Sequence, residues 1–170
     1  SKPYALRVRT LKMSGKQTSD PIAMLIQKLP PGSRIKCSFG VFLVKTPDVS
    51  FADLFGIHTE TNGLSNDLLF GITRDGGTLR DDIQLSDGGC ACPRGDLKPS
   101  NLPTGRWVQV DLDYTFTGAT LRYDGQEVMS GVLANTIPTD PITVYLGVAG
   151  YAEDQTSEYL FDDFVCTVTP

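Results

Sequence analysis

Helical periodicity is almost absent from this chain, and its absence limits the folds available. No segment of ten or more residues places apolar residues at i, i+3, i+4 and i+7 without an intervening Gly or Pro. About eleven short apolar or alternating runs recur instead, between turn segments such as LPPGS and RDGGT: Tyr4–Thr10, Ala23–Gln27, Ile35–Lys45, Leu54–Thr59, Asp67–Arg74, Asp81–Ser86, Trp107–Phe116, Ala119–Tyr123, Gln126–Met129, Thr143–Ala149 and Tyr159–Thr169. Many short strands with hardly any helix predict an antiparallel sandwich or barrel.

One hairpin is signalled strongly within this pattern. The segment ATLRYDGQEVM alternates on both sides of Asp124-Gly125, a dipeptide suited to a two-residue turn in which both central positions need positive φ. The segment Phe51–Leu54 is the one place where a single helical turn is considered. The longest irregular stretch, Asp87–Thr104, is expected to be functional or held by a covalent link.

Length and charge exclude several classes of protein. With 170 residues the chain fits a single domain spanning residues 1–170. Its 15 Lys and Arg against 20 Asp and Glu give a net charge of −5, which disfavours nucleic-acid binding. No apolar run is long enough to cross a membrane, and no signal peptide is visible. The chain begins at Ser1 rather than Met, as in a processed product or in a chain from which the Met has been lost. We expect it to be cut from a longer secreted protein.

Four cysteines raise the question of compartment. An even number in a small chain rich in Gly and Pro favours disulfides and an oxidising environment, and three pairings remain open. Zinc is disfavoured, because only Cys90 and Cys92 are close in sequence and there is a single histidine. Free buried thiols are the remaining alternative.

The second half of the chain resembles the concanavalin A-like lectin/glucanase superfamily, in a form similar to LamG domains. GRWVQVDLDY resembles the strand that opens with Gly-x-Trp, and LRYDGQEV resembles the hairpin that follows it. VYLGVAGY and EYLFDDFVCTV resemble the last two strands, with an Asp-Asp before the final apolar residues. The resemblance implies an all-β, two-sheet antiparallel jelly-roll sandwich, and it covers about a third of the chain.

The same resemblance implies that the first and last strands are neighbours and that an early strand lies beside the last one. It therefore implies a disulfide between Cys37 and Cys166. Cys90 and Cys92 would then be left to bond each other, or to bond other molecules. The rival pairing joins Cys90 or Cys92 to one of the two strand cysteines.

Catalytic motifs of the superfamily are not found. The glucanases of glycoside hydrolase family 16 carry Glu-x-Asp-x-(x)-Glu, and no such string exists here. The alginate-lyase branch uses a Gln-x-His strand and a C-terminal Tyr motif, and the only histidine, His58 in GIHTE, does not match it. His58 also has no Ser, Cys or carboxylate partner identifiable by spacing, so it is not predicted to be a general base. No catalytic residue is predicted.

The acid pair Asp162-Asp163 in the last strand needs its own interpretation. Neighbouring strand residues point to opposite faces, so the two carboxyls are not expected to meet on one substrate, as a glycosidase pair must at about 5–5.5 Å or about 6.5–9.5 Å. One hypothesis makes them a calcium or hydrogen-bonding anchor. The other leaves one Asp in water and pairs its neighbour with backbone N–H groups, Arg7 or Arg9.

Alternation along four strands predicts a binding face. If the apolar residues at alternate positions form the core, the opposite face carries glycines, small polar groups and one aromatic ring, which suits sugar hydroxyls and the apolar face of a sugar. The candidate ligand-binding residues are Gly56, His58, Gly71, Thr73, Asp82, Gln84 and Tyr145. Trp107, the only tryptophan, is expected to pack rather than to bind a sugar.

These observations predict a non-catalytic extracellular or cell-surface module that binds carbohydrate or serves adhesion. No cofactor is predicted, calcium being the one candidate ion, and a glycan or cell-surface ligand is the expected partner. The alternatives are a glycoside hydrolase or polysaccharide lyase with an unfamiliar active site, and a structural spacer domain.

Overall fold

The computed structural model describes residues 5–10, 22–44, 49–61, 64–75, 78–87, 90–92, 98–99, 102–115, 117–132, 140–152 and 157–170. Thirteen strands run through these residues: β1 Leu6–Thr10, β2 Ile22–Leu29, β3 Arg34–Leu43, β4 Val49–Thr61, β5 Leu64–Asp75, β6 Thr78–Asp87, β7 Cys90–Cys92, β8 Lys98–Pro99, β9 Trp107–Thr115, β10 Gly118–Tyr123, β11 Gln126–Val132, β12 Ile142–Ala152 and β13 Ser157–Thr169. None of the described residues forms a helix that is long and apolar enough to cross a bilayer.

The strands form two antiparallel sheets, as a jelly-roll sandwich requires. The six-stranded sheet has the order β1-β13-β3-β9-β10-β11. The seven-stranded sheet has the order β2-β12-β4-β5-β6-β7, and β8 pairs with β6 outside that order. The first described strand pairs with the last, and β3 lies on the other side of the last strand. The predicted all-β, two-sheet architecture is therefore confirmed.

The core lies between the two sheets. Burial alternates strictly along β9, so that Val108, Val110, Leu112 and Tyr114 face inward while their neighbours are partly exposed. Phe39 of the six-stranded sheet stacks on Phe55 of the seven-stranded sheet, with ring centroids 5.5 Å apart. Aromatic contacts of this kind add to the burial of apolar area that holds the sheets together.

The predicted hairpin at Asp124-Gly125 is confirmed. Its two central residues have φ of 49° and 81°, the positive values that a type I′ connection needs. The backbone N–H of Asp124 donates to the carbonyl of Gln109 at 2.8 Å, which fixes the turn against β9.

Cys37 and Cys166 form a disulfide, as the resemblance implied. The two residues are directly opposite each other in the pairing of β3 with β13, and their Cα atoms are 4.2 Å apart. They are 129 residues apart in sequence, and the chain-entropy model gives a loop of that length about 5 kcal/mol of stabilisation as an upper estimate. Cys90 and Cys92 lie in β7, but their side chains are outside the described structure.

The expectation that Asp162 and Asp163 occupy opposite faces of a regular strand is wrong. Between Asp162 and Val165 the pairing with β3 shifts by one residue, which is a β-bulge. Asp163 has a φ of 50°, a left-handed conformation that Asp tolerates better than most residues, and its N–H donates to Oδ1 of Asp162 at 2.8 Å. As a result both acids line one cavity on the outer face of the six-stranded sheet.

The arginines offered as partners for this acid pair bind another residue. Arg7 and Arg9 both lie 2.7 Å from the carboxylate of Glu158. The pairing of β1 with β13 places Arg9 directly opposite Glu158, which explains the choice of partner. Hydrogen bonds from Arg7 and then Arg9 hold the pKa of the Glu158 carboxyl below its ordinary value.

Candidate functional site

The positions on β4 and β12 that are predicted to bind a ligand lie on the outer face of the seven-stranded sheet, and ligand binding there stays a prediction. The apolar residues expected to form the core on β4, β5 and β12 are buried: Phe55, Ile57, Phe70, Ile72, Val144, Leu146 and Val148. The residues that alternate with them on β4 and β12, including His58 and Tyr145, point the other way. We call this surface the His58 face.

Strand register brings three polar side chains of the His58 face close together. His58 on β4 lies opposite Thr143 on β12 and opposite Asp67 on β5. Tyr145 lies two residues beyond Thr143 and directly opposite Gly56. Tyr145 and His58 are therefore diagonal neighbours on adjacent strands, a separation that aromatic side chains can span.

His58 is held by a carboxylate. Its Nδ1 is 2.6 Å from Oδ1 of Asp67, and its side chain keeps only 26% of its surface exposed. Because an ionised carboxylate can only accept, this hydrogen bond assigns the proton to Nδ1 in the neutral ring and leaves Nε2 with a lone pair. Glu60 is the neighbour of that second nitrogen, with Oε1 3.6 Å away. An imidazole arranged in this way can accept a proton at Nε2.

Tyr145 completes the group. Burial raises the pKa of its hydroxyl above the ordinary value of 10.0, and the negative charge of Asp67 raises it further. The hydroxyl therefore stays protonated through neutral and moderately alkaline pH. A protonated phenol beside an imidazole that can accept a proton provides one proton donor and one proton acceptor on a single surface.

Gly56 keeps this part of the face open. A Cβ at this position would lie 3.3 Å from a ring carbon of Tyr145 and 3.0 Å from a methyl group of Leu69. The missing side chain therefore lets the Tyr145 ring lie close to β4. Any larger residue at Gly56 would displace the ring.

Lys28 supplies positive charge to the same row of residues. It lies on β2 opposite Thr143, which is itself opposite His58, and its side chain is exposed. Two strand spacings place the Lys28 backbone about 10 Å from that of His58. A long flexible side chain at that distance can reach an anionic group bound beside the histidine.

Gly71 is another predicted ligand contact. Its lack of a side chain leaves space for the backbone of β4. The pairing of β4 with β5 shifts between Asp53 and Phe55, so that Leu54 is an extra residue and β4 approaches β5 closely. A Cβ on Gly71 would lie 2.4 Å from the carbonyl oxygen of Ala52.

The helical turn considered at Phe51–Leu54 is wrong, because this segment is strand with a bulge.

Replacing Gly71 with alanine is expected to lower the free energy of unfolding by about 1–3 kcal/mol, since the new methyl group must push two strands apart. Chemical denaturation followed by circular dichroism measures the change. Gly131→Ala is the matched control, because a Cβ there meets no atom within 4 Å and the expected change is below about 0.5 kcal/mol. Equal stability of the two variants would contradict the role given to Gly71.

Three other predicted contacts are placed only by register. Thr73 lies two residues beyond Gly71 on β5, Asp82 lies opposite Gly71, and Gln84 lies opposite Leu69. Their side chains are outside the described structure, and their roles stay predictions. Within the described ranges, no group of three or more His, Cys, Asp or Glu side chains is arranged to hold a metal ion, and calcium binding at Asp162 and Asp163 also stays a prediction.

Sequence reasoning missed Asp67, and with it the possible role of His58. His58 has a carboxylate partner that sequence spacing did not identify, because the partner lies on the next strand. A signal was present in Asn62-Gly63, a dipeptide typical of two-residue hairpin turns. The observed pairing of Thr61 with Leu64 places His58 opposite Asp67, as a connection of that length requires.

Comparison with known proteins gives matches among solved structures. No family model and no curated protein sequence matches this chain. A crystal structure of the family 7 alginate lyase A1-II′, carrying substitutions of one histidine and one tyrosine and bound to substrate, matches with a TM-score of 0.68 and 11% identity over 99% of this chain and 80% of that one. Alginate lyase AlyC3 bound to dimannuronate matches with a TM-score of 0.61 and 10% identity, over 96% and 74% of the two chains.

A third similar structure is the marine family 7 alginate lyase AlyA1 from Zobellia galactanivorans, with a TM-score of 0.56 and 9% identity over 85% of this chain and 64% of that one. Identities this low show the shared jelly-roll fold. The prediction of a non-catalytic binding or adhesion module is corrected by these matches, because the similar structures described above are alginate lyases. The lyase alternative named in the sequence analysis is the better supported one.

Proposed function

We propose that this chain is a polysaccharide lyase that cleaves a uronate-containing polysaccharide such as alginate by β-elimination. The observation that carries the proposal is the hydrogen bond between His58 and Asp67 on the outer face of the seven-stranded sheet, with Tyr145 diagonally opposite His58 in the strand register. The fold shared with alginate lyases supports the same reaction class. Fold alone would not, since one fold hosts many functions.

The reaction needs one base and one acid, and both are present. Nε2 of His58 removes the proton on the carbon next to the uronate carboxylate. The electron pair left behind forms the C4–C5 double bond, and the bond from C4 to the glycosidic oxygen breaks. The hydroxyl of Tyr145 donates its proton to that departing oxygen. Proton exchange with solvent then restores His58 and Tyr145.

The negative charge of the substrate carboxylate must also be neutralised, because it makes removal of the proton on the adjacent carbon more difficult. Lys28 is the described cation on the same row as His58. We assign it the uronate carboxylate, whose negative charge an ammonium group stabilises as it grows in the transition state. The chain's net charge of −5 makes such local positive charge more necessary.

One departure from the alginate-lyase pattern concerns the Gln-x-His strand. Here Gly56-Ile57-His58 carries glycine where that motif has glutamine. A histidine, His58, nevertheless lies on a strand of the open face, and Tyr145 lies on the neighbouring penultimate strand. A histidine and a tyrosine are also the two residues replaced in the substrate-bound A1-II′ variant.

A secreted location fits this function. The disulfide between Cys37 and Cys166 favours an oxidising compartment. A polymeric glycan is encountered outside the cell, so the proposed partner and the proposed location agree.

Asp67 is assigned as a positioning residue that fixes the tautomer and orientation of His58. Asp67→Asn is expected to lower kcat about 10- to 100-fold with little change in KM, since the amide no longer requires the proton on Nδ1. Nitrogen-15 NMR of His58, the only histidine, measures the tautomer directly. A lower kcat with an unchanged tautomer would contradict this role and leave only a structural one.

A substrate panel tests the proposed function. We expect purified chain to raise the ultraviolet absorbance of polymannuronate, polyguluronate or another polyuronate solution, because elimination creates a conjugated double bond. Neutral glucans and mannans, which lack the carboxylate, should give no signal. Activity on none of the polyuronates, by an intact folded chain, would overturn the proposal.

A further inference from the structure

Two rows of residues run across the His58 face, from β2 through β12 and β4 to β5, and they differ in chemistry. The first, which we call the polar row, consists in register of Lys28, Thr143, His58 and Asp67. The second lies two residues along the same strands, and we call it the apolar row; it consists of Ile26, Tyr145, Gly56 and Leu69. Residues directly opposite each other share a face of a sheet, so both rows lie on the surface that carries the proposed lyase site.

The apolar row is continuous through its centre. A Cβ at Gly56 would lie 3.3 Å from a ring carbon of Tyr145 on one side and 3.0 Å from a methyl carbon of Leu69 on the other. The ring and the methyl group therefore flank the glycine closely, with no side chain between them. The polar atom of this row is the Tyr145 hydroxyl, and burial raises its pKa above 10.0 and keeps it neutral. The row therefore offers apolar contact and one proton donor, without charge.

Ile26 ends the apolar row on β2, and 65% of its side chain is exposed. Single exposed apolar side chains are common and need no function. The position of Ile26 makes it different, because it is the cross-strand partner of Tyr145 and shares one face of β2 with Lys28. A large apolar group therefore lies next to the proposed proton donor, where a bound saccharide can cover it.

The proposed reaction determines which sugar lies over each row. The uronate that loses its proton must reach Nε2 of His58 while its carboxylate reaches Lys28, and both of these residues belong to the polar row. Tyr145, the proposed donor to the departing oxygen, belongs to the apolar row, about 7 Å further along the strands. The departing oxygen is carried by the adjacent sugar. That sugar therefore lies over the apolar row.

On the basis of the proposed function, we propose that Ile26 is a specificity-determining residue that binds the C–H face of the sugar departing with the glycosidic oxygen. An aliphatic side chain beside a neutral ring recognises a sugar by apolar contact, which does not depend on charge. A carboxylate is therefore required on the sugar over the polar row and not on the departing sugar. The substrate class is then any chain in which O4 of a uronate is linked to a pyranose, whether that pyranose is charged or neutral.

Partly carboxyl-reduced polymannuronate tests this distinction. Reduction converts a fraction of the mannuronate residues to mannose and keeps the linkages of the polymer. Each cut made by the full chain leaves a new unsaturated end, formed from a uronate, and a new reducing end, formed from the departing sugar. We expect mannose and mannuronate at the new reducing ends in the proportion in which they occur in the polymer. Mass spectrometry of the products, after their reducing ends are labelled, measures that proportion.

Substitutions at Ile26 test the residue itself on unmodified polymannuronate. Ile26→Ser should lower kcat/KM about tenfold, chiefly through a higher KM, because the lost contact holds the departing sugar equally before and during the reaction. Ile26→Leu keeps a branched aliphatic group and should stay within about twofold of the parent chain. The pH dependence of kcat should be the same in both variants, since Ile26 carries no titratable group.

Val165→Ser is the matched control. Val165 is another branched apolar residue, with 58% of its side chain exposed, and it lies on the six-stranded sheet. Its replacement should leave kcat/KM unchanged.

Two results would overturn this proposal while the lyase proposal stands. The first is a strong enrichment of either sugar at the new reducing ends, which would show that the carboxylate of the departing sugar affects its binding. The second is an Ile26→Ser variant that keeps the kcat/KM of the parent chain, as Val165→Ser should. Formation of no unsaturated product from any polyuronate would overturn the lyase proposal, and the role of Ile26 with it.

Discussion

Replacing His58 with asparagine is expected to lower kcat on a polyuronate about a thousandfold, within the range by which a positioned general base accelerates a reaction. In the proposed mechanism His58 takes the substrate proton, and its hydrogen bond to Asp67 leaves Nε2 as the nitrogen available for this step. Asparagine offers no group of comparable basicity. KM should change little, since the proposal assigns substrate binding mainly to the uronate carboxylate and to contacts along the face rather than to His58. Initial rates over a range of substrate concentrations measure both constants.

Two controls separate loss of chemistry from loss of structure. Circular dichroism and thermal unfolding of His58→Asn should be close to those of the parent chain, because the side chain lies on the outer face of the sheet and outside the core. Thr120→Ala, on the opposite sheet, should retain full activity. A folded His58→Asn variant with near-normal kcat would remove His58 from the mechanism.

The substitution Tyr145→Phe removes one oxygen and is expected to lower kcat about a hundredfold or more, because the departing glycosidic oxygen loses its proton donor. The ring remains, so its packing over Gly56 should be kept. Burial and the charge of Asp67 raise the pKa of Tyr145 above 10.0, so the protonated form that donates persists to at least that pH. Activity should therefore not fall through loss of this proton until the pH exceeds 10.0.

The pH profile is the measurement that identifies the acid. In the parent chain, an alkaline decrease in kcat caused by Tyr145 should lie above the ordinary tyrosine range, and this decrease should be absent from the residual activity of Tyr145→Phe. A Tyr145→Phe variant with unchanged kcat and an unchanged profile would show that another group protonates the leaving oxygen.

Much of the architecture follows from period-two patterning and turn chemistry. Alternation on β4, β5 and β12 assigns the buried and exposed faces, and Asp124-Gly125 identifies its hairpin, because both signals are local in sequence. The pairing of Cys37 with Cys166 is not local. It came from the order of strands that the resemblance implied, and the register of β3 with β13 confirms it.

Bulges are where the same reasoning fails. Alternation assumes that every residue takes one step along the strand, and one inserted residue reverses the faces beyond it. Asp163 is such a residue in β13, and Leu54 is another in β4. Neither extra residue is recognisable from the composition or the apolar pattern around it. The sequence alone therefore indicated a regular strand at Asp163 and a helical turn at Leu54.

The incorrect prediction of a non-catalytic module has a related cause. His58 and Asp67 are 9 residues apart and form no known sequence motif, and they become neighbours only through the pairing of two strands. Deducing the register from Asn62-Gly63 would have placed a carboxylate opposite the histidine. With that pair recognised, a catalytic face would have been favoured over a passive binding one.

Product analysis tests the central claim most directly. Purified chain is incubated with polymannuronate, and the oligosaccharides formed are examined by mass spectrometry and proton NMR. Elimination by His58 and Tyr145 predicts chains whose new non-reducing ends carry a C4–C5 double bond. Products with saturated ends, formed by addition of water, would contradict it, as would an undegraded polymer.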